Sequence, residues 1–151
     1  LKTYPVLKGS LAYVAAVVGI LIKKKGADLK IDVDGETVHE GPLLLTAIAN
    51  GSFCGGGFKG VPKASVDDGF MDINIIYDIT RHEFIKKLPY YAKGTHMELS
   101  NVGDFMCYRK CRQVVVTPLN GSMKLCIDGE ITNAGRVCME IISKAVDVIV
   151  P

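Results

Sequence analysis

The sequence predicts a mainly β protein with two helices, arranged as an antiparallel β-sandwich. Short apolar segments recur along the chain, and turn signals such as Asp34-Gly35 separate several of them. These segments do not alternate regularly with helical patterns, which a doubly wound parallel sheet would require. Because 151 residues is the usual size of one domain, we expect a single domain over 1–151.

The first predicted helix covers the longest apolar run, residues 11–22. Ser10 can cap its start, three lysines suit the negative end of its dipole, and Gly26 can end it. The run is shorter than the about 20 residues that a membrane span needs, and it lacks the features of a secretory signal. We therefore expect this helix to pack on the domain itself.

The second predicted helix begins at a capping box formed by Thr80 and Glu83. Phe84 and Leu88 follow four residues apart, which places them on one face. Proline lacks the N–H that a helix interior needs, so the helix should bend or end near Pro89. A glycine at position 94 then closes the segment.

The remaining chain predicts about eight strands. Residues 28–40 alternate on both sides of Asp34-Gly35, which predicts a hairpin. The apolar run 43–49 suits a strand buried on both faces, and Asn120-Gly121 predicts a tight turn between two later strands. The other apolar segments have the length and residue types of strands: 70–79, 111–118, 122–128, 136–143 and 145–151.

Composition restricts the class of function. A net charge of +2 does not indicate nucleic-acid binding, and basic pairs such as Lys86-Lys87 suit a solvated face or weak attraction to an anionic membrane surface. The five cysteines contain no Cys-x-x-Cys pair, which favours reduced thiols in a cytoplasmic protein. The three histidines lack metal-ligand spacing, so each is expected to be structural or solvent-facing.

The glycine-rich stretch from position 50 reads NGSFCGGGFKGVPKASVDDGF and contains a literal G-x-G-x-x-G at 55–60. A dinucleotide fingerprint needs a helix after it, and a Walker loop needs Lys-Ser or Lys-Thr after its last glycine. Val61 and Pro62 follow instead, and the next regular segment is a predicted strand. The sequence therefore argues against a phosphate-binding loop.

The same stretch offers oxygen ligands. Its glycines allow the backbone to fold tightly and present carbonyl groups, and Asp67 and Asp68 add carboxylates beside Gly69. Carbonyl oxygens with one carboxylate form a set that Mg²⁺ accepts. The alternative is a surface turn in which Asp-Gly only starts the next strand.

The tripeptide Asp-Gly-Glu occurs twice, at 34–36 and at 128–130. A hairpin turn is a sufficient explanation for the first copy. If strand geometry continues through the second, Asp128 and Glu130 face the same side, a spacing that can make one of them a usable general base. The alternative for the second copy is again a turn.

Taken in order, these motifs resemble the C-terminal half of lipid kinases of the diacylglycerol kinase and sphingosine kinase type, in their bacterial form. The ordered set is Asn-Gly, Gly-Gly-Gly, Pro-x-Ala-x-x-x-Asp-Gly-x-x-Asp and Asp-Gly-Glu, and the resemblance covers nearly the whole chain. It implies that 1–151 is the lipid-binding and catalytic β-sandwich domain. It also implies that ATP is held by a separate N-terminal domain with a Gly-Gly-Asp-Gly-Thr motif, which these 151 residues lack.

The resemblance also implies roles for individual residues. A structural Mg²⁺ would be bound by the carbonyl of Ser65, the side chain of Asp68 and the carbonyl of Phe70. Glu130 would accept a proton during phosphoryl transfer from ATP to a lipid hydroxyl, and Asp128 would be its acidic partner.

The implied partners are a lipid substrate, the N-terminal nucleotide-binding domain and, transiently, the surface of a membrane. The location would be cytoplasmic and peripheral to that membrane, with no role for nucleic acid. Surface that normally meets the other domain favours self-association as a homodimer. The alternatives are a non-catalytic lipid-binding or regulatory module, which would not need Glu130, and a kinase for a soluble dinucleotide.

Overall fold

The computed structural model of the chain describes residues 26–53 and 58–147. The predicted first helix at 11–22, the triple glycine at 55–57 and the end of the last predicted strand lie outside these residues. Neither of the described α-helices has the length and apolarity needed to cross a bilayer.

Within the described ranges the chain forms eight strands: β1 Ala27–Val33, β2 Glu36–Ala49, β3 Met71–Tyr77, β4 Met106–Cys111, β5 Gln113–Pro118, β6 Met123–Ile127, β7 Glu130–Ala134 and β8 Val137–Glu140. The helical segments are α1 Arg81–Lys93, a 3₁₀ turn at His96–Glu98 and the short α2 Val102–Phe105. All strand pairs are antiparallel. The predicted mainly β, antiparallel fold class is confirmed.

Six of the strands form one sheet in the order β4-β3-β2-β1-β5-β8, and among the described residues β6 pairs only with β7. The base of the β6–β7 hairpin packs on the larger sheet, because Met123 belongs to the main hydrophobic core and Ala134 packs against it. This packing gives the two layers of a β-sandwich. The outer part of the hairpin is exposed.

Strand β3 is buried on both of its faces. Met71, Ile73 and Ile75 belong to the main core, while Ile76 packs under α1 with Phe84. The prediction that 43–49 is buried on both faces is wrong, since most of that segment is half-buried. The reason is that α1 packs over β3 and meets β2 only at its Leu44-Leu45 segment.

Several strand boundaries differ from the prediction. Residues 36–40 and 43–49 form one 14-residue strand, β2, with irregular register near Leu43. Strands β4 and β7 were not predicted, because their alternation is weak and charged or polar residues dominate them. Residues 145–147 of the last predicted strand are not in a strand.

The turn at Asn120-Gly121 does form, with φ of +64° at Gly121. It does not join paired strands, however. Strand β5 pairs with β1 and β8, and the chain after the turn leaves the sheet to pair with β7. The turn residues reverse the chain locally but do not decide which strands become neighbours.

Helix α1 has the predicted capping box. The hydroxyl of Thr80 accepts the N–H of Glu83 at 3.2 Å, and the carboxylate of Glu83 accepts the N–H of Thr80 at 3.0 Å. The helix does not end at Pro89 but continues to Lys93, and a glycine at position 94 with φ of +77° closes it. Burial of one apolar face against β3 compensates for the hydrogen bond that proline cannot donate.

Candidate functional site

The second Asp-Gly-Glu lies at the exposed tip of the β6–β7 hairpin. Asp128 and Gly129 are the two turn residues, with φ of +47° and +95°, and Glu130 is the first residue of β7. Positive φ at both positions is the geometry that suits a two-residue turn between twisted antiparallel strands. Strand geometry therefore does not continue through Asp128, and the turn alternative is correct.

The first Asp-Gly-Glu has the same backbone geometry but a different use. Asp34 and Gly35 have φ of +48° and +86° in the turn between β1 and β2. The carboxylate of Asp34 accepts the N–H groups of Arg112 at 3.0 Å and Gln113 at 2.8 Å, which attaches this turn to the start of β5. The carboxylate of Asp34 is therefore used for structure.

The carboxylates of Asp128 and Glu130 are exposed and have no such use. Neither forms a hydrogen bond or an ion pair with any residue of 26–53 or 58–147. With Ile127, Ile131 and Thr132 they line an open depression of about 430 Å³. The two isoleucines are 59% and 60% exposed, so the hairpin tip presents two acidic groups next to apolar surface.

The implied metal ligands all belong to the loop that precedes β3. Gly69 has φ of +74°, which lets the chain fold back so that the carboxylate of Asp68 accepts the N–H of Phe70 at 2.9 Å. The hydroxyl of Ser65 donates to the carboxylate of Asp67. Asp67 is thus engaged by Ser65, which leaves Asp68 as the carboxylate at the start of the strand.

Lys110 on β4 is a residue of this site that the sequence did not reveal. Its ammonium group lies 2.5 Å from Oδ2 of Asp68 and 3.3 Å from Oδ2 of Asp72. Lys110 and Asp72 are direct partners in the β3–β4 pairing, and the side chain of Asp72 is fully buried. An aspartate within an otherwise apolar strand indicates that a cationic partner exists, but it does not say where that partner lies in the sequence.

The charges of this group depend on one another. The hydrogen bond from Lys110, with a further one from the N–H of Phe70, lowers the pKa of Asp68. The hydrogen bond to Asp68, helped by Asp72, raises the pKa of Lys110. Both partners are therefore ionised at neutral pH.

The oxygen atoms of this loop could bind a divalent cation, but the ammonium group of Lys110 competes for one of them. The carbonyls of Ser65 and Phe70 and the carboxylate of Asp68 are all oxygen donors, which Mg²⁺ prefers. No cluster of three or more His, Cys, Asp or Glu side chains suited to a metal exists among the described residues, so the backbone carbonyls would have to contribute. One oxygen of Asp68 is already bonded to Lys110. No hydrogen bond or ion pair in the described ranges joins this group to the Asp128–Glu130 turn.

Further buried polar groups lie beside Asp72 on the same face of β3. The amide nitrogen of Asn74 donates to the carbonyl of Gly60 at 2.8 Å and lies 3.3 Å from Nε2 of His96. The ring of His96 stacks on Tyr91 of α1, with centroids 4.7 Å apart. Burial lowers the pKa of His96, and the amide donor facing Nε2 favours the neutral imidazole.

Protonation of His96 is therefore expected to destabilise the fold. The folded-state pKa is lowered below the unfolded value of about 6.5, so the unfolded chain binds more protons as the pH falls below 6.5. The free energy of unfolding should decrease in that range and level off below the folded pKa. Urea unfolding of the chain between about pH 7.5 and 5.5 measures this, and His96→Gln should flatten the dependence.

The matched control for this prediction is His82→Gln, since His82 is exposed on α1. It should leave the pH dependence of unfolding unchanged. If both substitutions flattened the pH dependence equally, burial of His96 would not be the cause of that dependence.

Comparison with known proteins agrees with the fold. The family model described as "YegS C-terminal NAD kinase beta sandwich-like domain" matches residues 2–150. A crystal structure described as a diacylglycerol kinase from Bacillus anthracis superimposes with a TM-score of 0.62 at 19% identity, covering 83% of this chain and 43% of that one. At that identity the superposition supports the fold alone.

Relatives by sequence carry a more specific name. The diacylglycerol kinase of Bacillus subtilis is 27% identical over 122 residues, which is 81% of this chain and 38% of that protein. The diacylglycerol kinase of Staphylococcus carnosus is 28% identical over 130 residues, or 86% of this chain and 40% of that protein. The chain thus spans less than half the length of these relatives.

The fold is that of a C-terminal antiparallel β-sandwich domain, and relatives that share its sequence are named as diacylglycerol kinases. Since the family model matches almost every residue, the chain belongs to the YegS C-terminal, NAD kinase-like β-sandwich family.

Proposed function

We propose that this chain is the C-terminal half of an ATP-dependent lipid kinase, which transfers the γ-phosphoryl group to a hydroxyl of a diacylglycerol-like lipid. Membership of the family and the names of the relatives support the class. The observation that carries the proposal is the contrast between the two Asp-Gly-Glu turns. The Asp34 carboxylate accepts two backbone hydrogen bonds. The carboxylates of Asp128 and Glu130, at the exposed tip of the β6–β7 hairpin, form none with the described residues.

In the proposed reaction Glu130 accepts the proton of the lipid hydroxyl or orients that hydroxyl towards the phosphorus. Asp128, two residues away in the turn, adds negative charge that favours proton transfer to this site. Ile127 and Ile131 contact the apolar part of the lipid near its headgroup. A divalent cation held by Ser65, Asp68 and Phe70 would supply positive charge that orders the acidic loop.

The proposal assigns ATP to an N-terminal nucleotide-binding domain of the same protein. Phosphoryl transfer needs donor and acceptor atoms about 3–3.5 Å apart, so both halves must form the cleft. The proposed location is cytoplasmic and peripheral to the membrane, where the enzyme meets its lipid. In isolation, the surface that meets the other domain would favour a homodimer.

A non-catalytic lipid-binding or regulatory module is the second candidate. The exposure of Ile127 and Ile131 favours it, because apolar surface at a hairpin tip suits lipid contact without chemistry. The two candidates differ in their need for the carboxylate of Glu130, which only the kinase requires.

The 151-residue chain alone is expected to phosphorylate no lipid, whereas the protein with its N-terminal half restored should be active. The physical reason is that half of a cleft cannot hold ATP against the lipid hydroxyl. The measurement is transfer of labelled phosphate from ATP, with Mg²⁺, to vesicles containing diacylglycerol, phosphatidylglycerol or a sphingoid base.

Turnover by the isolated chain would show that a nucleotide site lies within residues 1–151. It would contradict the prediction that the glycine-rich stretch at 55–60 is not a phosphate-binding loop. Lipid binding without turnover in the restored protein would favour the non-catalytic module.

A further inference from the structure

The position of Lys110 indicates that a side chain of the same domain controls cation binding at Asp68. Its ammonium group contacts two carboxylates on different segments, at 2.5 Å for Asp68 and 3.3 Å for Asp72. The first contact occupies one of the two oxygens through which Asp68 could bind a metal. The other oxygen already accepts the N–H of Phe70. As the site stands, Asp68 is neutralised by an ammonium group.

A divalent cation and this ammonium group would repel each other if both were bound to Asp68. Mg²⁺ binds oxygen at about 2.0–2.1 Å, and Lys110 lies 2.5 Å from the same carboxylate. The two cations would be less than about 5 Å apart on a shared oxygen and less than about 7 Å apart on the two oxygens of the carboxylate, distances at which like charges repel at a partly exposed site. Metal binding at Asp68 therefore requires Lys110 to move.

The structure provides a place for the displaced ammonium group. The side chain of Asp72 is fully buried, its Oδ1 forms no hydrogen bond of normal length with any described residue, and the hydroxyl of Tyr108 lies near the same carboxylate. Lys110 is the cross-strand partner of Asp72, and its ammonium lies 6.0 Å from the centroid of the Phe70 ring. A small shift of Lys110 would exchange Asp68 for this second acceptor without exposing Asp72 unpaired.

We propose that Lys110 is an internal competitor for the divalent cation at Asp68, and that it moves onto Asp72 when the cation binds. In the absence of metal the lysine pairs with both carboxylates and offsets one of their two negative charges, and it sets a threshold of metal concentration for binding. This inference rests on the metal site included in the proposed function. It is tested by metal binding and not by phosphoryl transfer, so its failure would leave the kinase proposal untouched.

The direct test is Lys110→Met in the 151-residue chain, which removes the charge and keeps an unbranched apolar side chain. The affinity for Mn²⁺, measured by electron paramagnetic resonance of the free ion with Mg²⁺ as competitor, is expected to rise about tenfold or more. Adding Asp68→Asn to this variant should abolish the gain, which assigns the bound ion to Asp68.

The matched control is Arg109→Met, which makes the same change of charge one residue away. The guanidinium of Arg109 donates to the carbonyl of Tyr108, and no hydrogen bond or ion pair joins it to Asp68 in the described part of the chain. Its loss should change the Mn²⁺ affinity by less than about twofold, since exposed charges at longer range are screened. Equal affinities of the two variants, or a gain that survives Asp68→Asn, would overturn the proposal.

Lys110→Met removes the partner of a buried carboxylate, so a second measurement uses the unaltered chain. Nuclear magnetic resonance of ¹⁵N-lysine ammonium groups is followed during titration with Mg²⁺, together with the backbone amide of Phe70. The Lys110 and Phe70 signals should shift together, while the exposed Lys124 should not respond. A shift of Phe70 without Lys110, or no shift of either, would contradict the competition.

Discussion

Glu130→Gln in the full-length protein is expected to lower turnover by about 10² or more, the usual contribution of a general base. Glutamine keeps the size and position of the side chain at the start of β7 but cannot accept the hydroxyl proton. The hairpin should be unaffected, because the Glu130 side chain makes no hydrogen bond or ion pair within the described ranges. The measurement is steady-state transfer of phosphate from ATP to diacylglycerol vesicles, with folding checked by circular dichroism.

The matched control is Glu36→Gln, in the other Asp-Gly-Glu. Glu36 follows a turn of the same backbone geometry and is also exposed, so the two substitutions differ only in location. We expect Glu36→Gln to be nearly silent. If it is the damaging change, the assignment between the two copies is wrong. If neither change lowers turnover, Glu130 is not the base.

Ile75→Ala is expected to lower the free energy of unfolding by about 2–5 kcal/mol, as for other large-to-small substitutions in a core. Ile75 is fully buried in β3, the strand that is covered on both faces, so little rearrangement can fill the cavity left behind. Urea unfolding of the 151-residue chain at constant pH measures the change.

The same substitution at an exposed isoleucine provides the control. Ile142 is 74% exposed, and Ile142→Ala should change the free energy of unfolding by no more than about 0.5 kcal/mol. A loss at Ile75 no larger than that at Ile142 would contradict the assignment of β3 as the central buried strand. Ile48→Ala, in the half-buried β2, should fall between the two.

Turns and helix caps formed by residues that are close in the sequence could be predicted from the sequence. The β1–β2 hairpin follows from two turn residues that tolerate positive φ between alternating segments. The start of α1 follows from the reciprocal bonds of Thr80 and Glu83, and its end follows from a glycine in the left-handed region. In each case the signal and the contact lie within a few residues of one another.

The identity of the family was also within reach of the sequence, because an ordered set of short motifs survives where overall identity is only 27–28%. The motifs favoured Asp68 over Asp67 as the metal ligand. In the structure Asp68 bonds to Lys110 on β4, and Asp67 bonds to Ser65. The role of Glu130 and the metal at Asp68 remain predictions for the experiments above.

Contacts between distant segments were decided only by the tertiary structure. Asp72 contacts Lys110, which lies 38 positions later in the sequence, and β4 is recognisable as a strand only through its pairing with β3.

The choice of neighbouring strands also depends on the tertiary structure. Asn120-Gly121 turns the chain, yet β6 pairs with β7 and not with β5, because strand pairing depends on which apolar faces the rest of the chain can cover. The two Asp-Gly-Glu turns are identical as tripeptides, and they differ because β5 begins beside Asp34 whereas no described residue bonds to the carboxylates at 128 and 130. Local sequence determines where this chain turns and caps its helix, since those bonds close within a few residues. Which carboxylates are consumed and which stay free depends on the strands that packing brings next to them.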